Sequence, residues 1–100
     1  MTAYISGPMT GIKQNNIPAF VKAKEELLAL GHRVKSPTDV TYKETYYEYM
    51  KADIKMLLDC DFIVMLDGWE KSKGACMEKQ IADFLLIPSY ILINGGLNAL

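Results

Sequence analysis

Two acidic residues, Asp53 and Glu78, occupy positions where a helix would normally carry apolar side chains. Neither has a basic residue three or four positions away, and both lie on the apolar stripe of a predicted helix. Burying a carboxylate without a partner costs several kcal/mol. We therefore interpret both as candidate site residues, an acid or a nucleophile whose pKa burial raises. The alternative is an acid at the edge of the stripe that reaches water or a distant lysine.

A second candidate is the predicted start of the helix that carries Glu78. Ser72 can cap that helix. Alternatively, Ser72, Gly74 and the backbone N–H groups of the helix start bind an oxyanion such as phosphate, and Gly74 leaves space for a ligand. The loop at residues 7–11 also contains glycines, but it matches neither the dinucleotide fingerprint nor the phosphate loop of NTPases.

Aromatic residues are concentrated near the start of another predicted helix, at Tyr42, Tyr46, Tyr47 and Tyr49. They could wall a planar base, form a subunit interface, or simply pack with their hydroxyls exposed. Trp69 either stacks on a planar ligand or closes its loop over the core. The single histidine, His32, is predicted to lie on the surface.

The elements that must position these residues alternate between short β-rich runs and longer helical patterns. The predicted strands cover residues 4–6, 32–36, 62–66 and 90–93, and the predicted helices cover residues 16–30, 43–58 and 73–87. Asn15 and Asn16 are predicted caps of the first helix. The pattern predicts an α/β fold, a small doubly wound parallel sheet of about four strands with helices on both faces. Ligands bind at the carboxyl ends of such strands.

Composition and charge exclude several classes of function. The 100 residues suit one small domain, and 50% of them are hydrophobic. Only Arg33 is an arginine and the net charge is −1, so a nucleic-acid polymer is not an expected partner. No apolar run suggests a membrane span or a signal peptide.

The two cysteines indicate a cytoplasmic protein with reduced thiols, because Cys60, Cys76 and His32 form no metal-site spacing. No metal and no cofactor are predicted.

Three segments together resemble the nucleoside 2-deoxyribosyltransferase superfamily, over nearly the whole chain. Residues 4–11 are similar to its Y-x-x-G-x-x-x-G loop, residues 53–61 to its D-x-x-x-[LI]-x-x-[AC]-D segment, and residues 72–78 to its S-x-G-x-x-x-E segment. The 2′-deoxynucleoside 5′-monophosphate N-glycosidases and short phage and bacterial relatives are the most similar members. The resemblance implies a Rossmann-like, flavodoxin-like fold.

The resemblance also implies roles for individual residues. Glu78 would be the nucleophile at the sugar C1′, Tyr4 would orient it, and Asp53 would bind substrate and protonate the departing base. Ser72 would contact a 5′-phosphate. A carboxylate facing C1′ suits an oxocarbenium-like transition state. The predicted substrate-binding residues are Gly7, Pro8, Met9, Gly11, Trp69, Ser72 and Gly74.

Departures from the family pattern keep two functions open. Pro8 and Thr10 stand where the monophosphate hydrolases carry polar and basic residues, which weakens the case for tight phosphate binding. The sequence also ends soon after its fourth predicted strand, whereas the family continues into a fifth strand and a segment that reaches the neighbour's site. We therefore expect at least a homodimer. The function is either hydrolysis or transfer at the N-glycosidic bond of a deoxynucleoside or its 5′-monophosphate, or nucleotide binding without turnover.

Overall fold

The computed structural model describes all 100 residues and contains one five-stranded sheet. The strands are β1 (Thr2–Ser6), β2 (Arg33–Lys35), β3 (Phe62–Met65), β4 (Ser89–Ile93) and β5 (Gly96–Ala99), in the order β2-β1-β3-β4-β5. The first four are parallel, and β5 runs antiparallel to β4. The helices are α1 (Ile17–Ala29), α2 (Tyr46–Leu58) and α3 (Lys73–Phe84).

Buried side chains form one apolar cluster on each face of the sheet. Phe20, Ala23 and Leu27 of α1 pack on one face, while Leu57 of α2 and Ala75 of α3 pack on the other. Successive residues of a strand point to opposite faces, so β1 and β3 contribute to both clusters. The predicted doubly wound α/β fold is confirmed.

A fifth strand corrects the predicted count of about four. Ile93 pairs with Gly96 across a two-residue turn, and both turn residues have left-handed backbones, with φ of 49° at Asn94 and 76° at Gly95. This turn geometry joins antiparallel strands with a matching twist. The Asn-Gly pair therefore starts a hairpin, where the sequence pattern was interpreted as the end of the last strand.

The start of α1 differs from the predicted capping. Asn15 and Asn16 have left-handed backbones, and Asn16 makes no capping hydrogen bond. Instead, the Asn16 side-chain amide donates to the Pro8 carbonyl at 2.8 Å. Asn16 thus occupies the predicted N-cap position, but its side chain holds the loop that follows β1 against the start of α1 instead of capping the helix.

The end of α3 lies three residues before the predicted one. Leu86 has a φ of 60°, and the Ile87 N–H donates to the Ala82 carbonyl at 2.8 Å. A left-handed residue with this hydrogen bond is a common helix termination. None of the helices is both long enough and apolar enough to cross a lipid bilayer.

Candidate active site

Glu78 is held against β1 by two hydroxyl groups. It lies on α3 with only 3% of its surface exposed. The Tyr4 hydroxyl donates to Glu78 Oε2 at 2.7 Å, and the Ser6 hydroxyl donates to Oε1 at 2.6 Å. Tyr4 and Ser6 are two residues apart on one strand, so their side chains share the face that α3 covers. The structure thus brings Tyr4 together with Glu78, as the resemblance implied.

Asp53 is the second buried carboxylate. It lies on α2 with 8% of its surface exposed, and its Oδ1 atom is buried without a hydrogen-bond partner. Asp53 and Glu78 line the same cavity. The sequence pattern therefore located two acids that α2 and α3 direct into one space.

Burial raises the pKa of both carboxyls. The pKa of Glu78 rises to about 7 because burial outweighs the opposing hydrogen bonds from Ser6 and Tyr4, and the charge of Asp53 adds to the rise. Burial raises the pKa of Asp53 to about 6. It also raises the pKa of Tyr4, which keeps the phenol protonated as a donor. Both carboxyls accordingly titrate close to neutral pH.

No cation pairs with either carboxylate. The ion pairs of the protein join lysines to Glu26, Asp39, Asp59 and Asp83, none of which lines the cavity that holds Glu78. Those four acids each have a lysine as partner, whereas Asp53 and Glu78 are buried without a cation. That contrast marks the cavity as the candidate site.

The cavity has a volume of about 1070 Å³ and opens at the carboxyl ends of the parallel strands. Five of the seven predicted substrate-binding residues line it: Gly7, Pro8, Met9, Ser72 and Gly74. The other two lie elsewhere. Gly11 is an exposed turn residue, and Trp69 packs against the apolar cluster under α2 and α3.

Gly7 and Gly74 are explained by close packing within the protein. A Cβ on Gly7 would lie 2.7 Å from Leu66 Cβ. A Cβ on Gly74 would lie 3.0 Å from the Tyr46 hydroxyl oxygen and 3.2 Å from Met50 Sδ. The space expected for a ligand beside Gly74 is therefore occupied by side chains of α2.

Ser72 caps α3, since its hydroxyl accepts from the Ala75 N–H at 3.2 Å. Two lysines on either side of it, Lys71 and Lys73, also line the cavity. The sequence pattern did not single them out, because surface lysines near a helix start are common. They add positive charge to the lining of the cavity.

The tyrosines divide into two groups. Tyr46 and Tyr49 line the cavity, while Tyr42 and Tyr47 are exposed to solvent. His32 is half-buried, with its ring packed edge-on against Phe62 at 5.0 Å between centroids, so the surface position predicted for it holds only in part.

Ser6 is the contact that the sequence reasoning missed. Its position two residues after Tyr4 places both side chains on one face of β1. That alternation was the available signal, once Tyr4 was assigned to Glu78.

The sequence of the chain matches one family of known proteins. Residues 1–89 match the family model described as "Domain of unknown function (DUF4406)". The chain belongs to the DUF4406 family. No curated protein matches it significantly.

Two solved structures share the fold of this DUF4406 chain. A 2-deoxyribosyltransferase from Bacillus psychrosaccharolyticus superposes with a TM-score of 0.73 at 21% identity, covering 92% of this chain and 72% of that one. One from Leishmania mexicana gives 0.72 at 21% identity, covering 91% and 63%. The predicted resemblance to the nucleoside 2-deoxyribosyltransferase superfamily is confirmed at the level of the fold.

Proposed function

We propose that the protein is an enzyme that cleaves the N-glycosidic bond of a deoxynucleoside or its 5′-monophosphate. The observation that carries the proposal is a pair of buried carboxylates, without cations, in one cavity, with two hydroxyls holding Glu78. The similarity of the fold to two 2-deoxyribosyltransferases supports a deoxyribosyl substrate.

In the first step, a Glu78 oxygen attacks C1′ as the bond between C1′ and the base nitrogen breaks. The electron pair of that bond goes to the base, and protonated Asp53 supplies a proton to it. The products are a deoxyribosyl ester of Glu78 and the free base. The unpartnered Oδ1 of Asp53 leaves that carboxyl without a donor to stabilise its ionised form. Because the pKa of Glu78, about 7, lies above that of Asp53, about 6, the reactive form with Glu78 ionised and Asp53 protonated is the minor one of the two singly protonated forms.

In the second step, an acceptor attacks C1′ and the bond to Glu78 breaks, which regenerates the carboxylate. Asp53, now ionised, takes the proton from the acceptor. Water as the acceptor gives hydrolysis, and the nitrogen of a second base gives transfer. The open cavity admits either acceptor.

The substrate carries a 5′-hydroxyl or a 5′-phosphate at the α3 end of the cavity. Ser72, Lys71 and Lys73 lie there, and the N-terminus of a helix favours an anion. Both forms of the substrate are consequently included in the test.

The test is base release. The protein is incubated with a panel of deoxynucleosides and their 5′-monophosphates, with and without a second base, and products are followed by chromatography. Glu78→Ala should abolish release, and Glu70→Gln, an exposed acid outside the cavity, should leave it unchanged. Release that persists in Glu78→Ala overturns the nucleophile. No release by the wild type, together with thermal stabilisation by a nucleotide, favours binding without turnover.

We further propose that the protein is at least a homodimer and is cytoplasmic. Phe84 and Leu86, at the end of α3, have 86% and 87% of their surfaces exposed, as expected of residues that a second copy covers. The thiols of Cys60 and Cys76 are free, which suits a reducing compartment.

A further inference from the structure

Ser6 provides a second hydroxyl contact to Glu78, and the two reaction steps above give it no role. It is the last residue of β1, none of its surface is exposed, and its Oγ lies 2.6 Å from Glu78 Oε1. Tyr4 bonds the other carboxylate oxygen at 2.7 Å. Each oxygen of Glu78 therefore accepts one hydroxyl proton from the same strand, and the two bonds together fix the plane of the carboxylate.

We propose that Ser6 is a positioning residue, which favours the ionised form of Glu78 and holds its carboxylate in one orientation towards the cavity. The inference rests on the proposed function, in which Glu78 attacks C1′. An ionised carboxylate can accept about four hydrogen bonds. The bonds from Ser6 and Tyr4 thus leave each oxygen with a free acceptor position for the attack.

The other groups around Glu78 do not stabilise its charge. From α2, the charge of Asp53 raises the pKa of Glu78. Burial, followed by the charges of the nearby carboxylates, raises the pKa of the Tyr46 phenol, which therefore stays neutral. Lys71 and Lys73 line the same cavity but form no ion pair with Glu78. Asp67, also in the cavity lining, carries the same charge sign as Glu78. The hydroxyls of β1 are the side-chain donors that Glu78 has.

A half-buried serine whose hydroxyl has no such role provides a control. Ser89, at the start of β4, has a buried hydroxyl without any hydrogen-bond partner. Ser89 does not line the cavity, and its hydroxyl makes no hydrogen bond to Glu78. Ser89→Ala therefore removes a strand hydroxyl of the same kind without touching the carboxylate.

The first test is titration of Glu78, which needs no activity. The side-chain carboxyls of glutamate are labelled with ¹³C, the Glu78 signal is assigned from its loss in Glu78→Gln, and its shift is followed by NMR against pH. A hydrogen bond to a charged group is strong enough that Ser6→Ala should raise the pKa of Glu78 by about 1. Ser89→Ala should leave it unchanged. An unchanged pKa of Glu78 in Ser6→Ala overturns the proposal.

The second test is kinetic. In Ser6→Ala the pH optimum of kcat/KM should move upward and kcat should fall about tenfold, while KM changes less than about twofold. Ser6→Cys, which keeps a weak donor of similar size, should recover part of kcat. Loss of activity with an unmoved pH optimum in both variants indicates a purely structural role and contradicts the proposal.

The two proposals fail in different ways. If the wild type releases no base from any substrate, the proposed function fails, and the titration still decides whether Ser6 favours the ionised form of Glu78. If Ser6→Ala does not fold, as judged by circular dichroism and thermal unfolding, Ser6→Gly, which also removes the hydroxyl, carries both tests. A Glu78 pKa in Ser6→Gly equal to that of the wild type, together with an unmoved optimum, overturns the role of Ser6.

Discussion

At the scale of single residues, the candidate site is defined by charges that folding alone does not explain. A chain of 100 residues with 19 buried positions uses two of them for the unpaired carboxylates Asp53 and Glu78. Both carboxyls have a raised pKa because burial disfavours their charged forms. Two consequences can be measured, one in the pH dependence of the reaction and one in the pH dependence of stability.

The reaction should show a bell-shaped pH profile. Activity requires ionised Glu78 and protonated Asp53, so kcat/KM falls when both are protonated and again when both are ionised. With pKa values of about 7 and about 6, the two limbs of the profile should report the titration of the two carboxyls as a coupled pair. The value of kcat/KM should be highest near pH 6.5. Initial rates of base release from pH 4.5 to 9 measure this. A flat profile between pH 5 and 8 would contradict the assignment of both acids.

The stability of the protein should fall with rising pH through the titration of Asp53. Its pKa is about 6 in the folded protein and 3.8 ordinarily. The favourable contribution is therefore complete below pH 4 and is lost as the pH rises through 6. Asp53→Asn should accordingly raise the free energy of unfolding at pH 8 by about 1–3 kcal/mol, with little effect at pH 4.

Denaturant unfolding at the two pH values checks this prediction. Asp83→Asn serves as the control, because Asp83 is exposed and pairs with Lys79 on the surface of α3. That variant should lose no more than about 1 kcal/mol and show no gain at pH 8. Equal effects of Asp53→Asn at pH 4 and pH 8 would show that Asp53 is not ionising in a buried position.

Sequence reasoning found the two acids and missed the hydroxyl beside them. Asp53 and Glu78 could be predicted because an acid on an apolar helical stripe is a local anomaly, visible without the fold. Ser6 is an ordinary serine after a strand, and its importance arises only when α3 brings Glu78 against β1. For Trp69 the sequence left two interpretations open, since a loop tryptophan suits a core as well as a ligand, and the residue packs against the apolar cluster.

At the scale of elements, the helices were predicted because each carries apolar residues at helical spacing, and β3 and β4 because each contains a run of apolar residues. The hairpin strand β5 was missed because its sequence, Gly96–Ala99, has little apolar alternation. Its existence depends on the Asn94-Gly95 turn and on pairing with β4. The early end of α3 was missed because a leucine, where glycine is usual, takes the left-handed position.

The junction of β1 with its loop gives an element-scale prediction. A Cβ on Gly7 would lie 2.7 Å from Leu66 Cβ, and neither atom can move without its backbone. Gly7→Ala should therefore destabilise the protein by about 1–3 kcal/mol and disturb the cavity wall. Gly96→Ala is the control, since its Cβ would meet only the Ile93 carbonyl oxygen at 3.6 Å. Thermal unfolding compares the two, and equal melting temperatures would count against close packing at Gly7.

At the scale of the whole molecule, the end of α3 is the surface that a single copy explains least. Phe84 and Leu86 project almost fully into solvent. Burying such side chains stabilises by about 1.5–3 kcal/mol each. Leu86 also has the left-handed φ of 60°, which costs a leucine about 1–2 kcal/mol and costs glycine almost nothing. Folding of one copy would favour glycine there on both counts, whereas in the proposed homodimer a contact with a second copy would account for the leucine.

Leu86→Gly should consequently have opposite effects on the fold and on the assembly. It relieves the left-handed strain, so the unfolding temperature of the dilute chain should not fall. It also removes an apolar contact, so self-association should weaken about tenfold or more.

Sedimentation and light scattering across concentration measure the association, and the concentration dependence of the melting temperature reports it independently. Phe84→Ser should weaken self-association in the same way, without relieving the backbone strain at Leu86. Leu28→Ser, an exposed leucine on α1 at the other face of the sheet, should leave association unchanged. A wild type that stays monomeric at a concentration of about 100 μM would remove the explanation for Leu86, because neither its backbone nor its exposure is then offset by any contact.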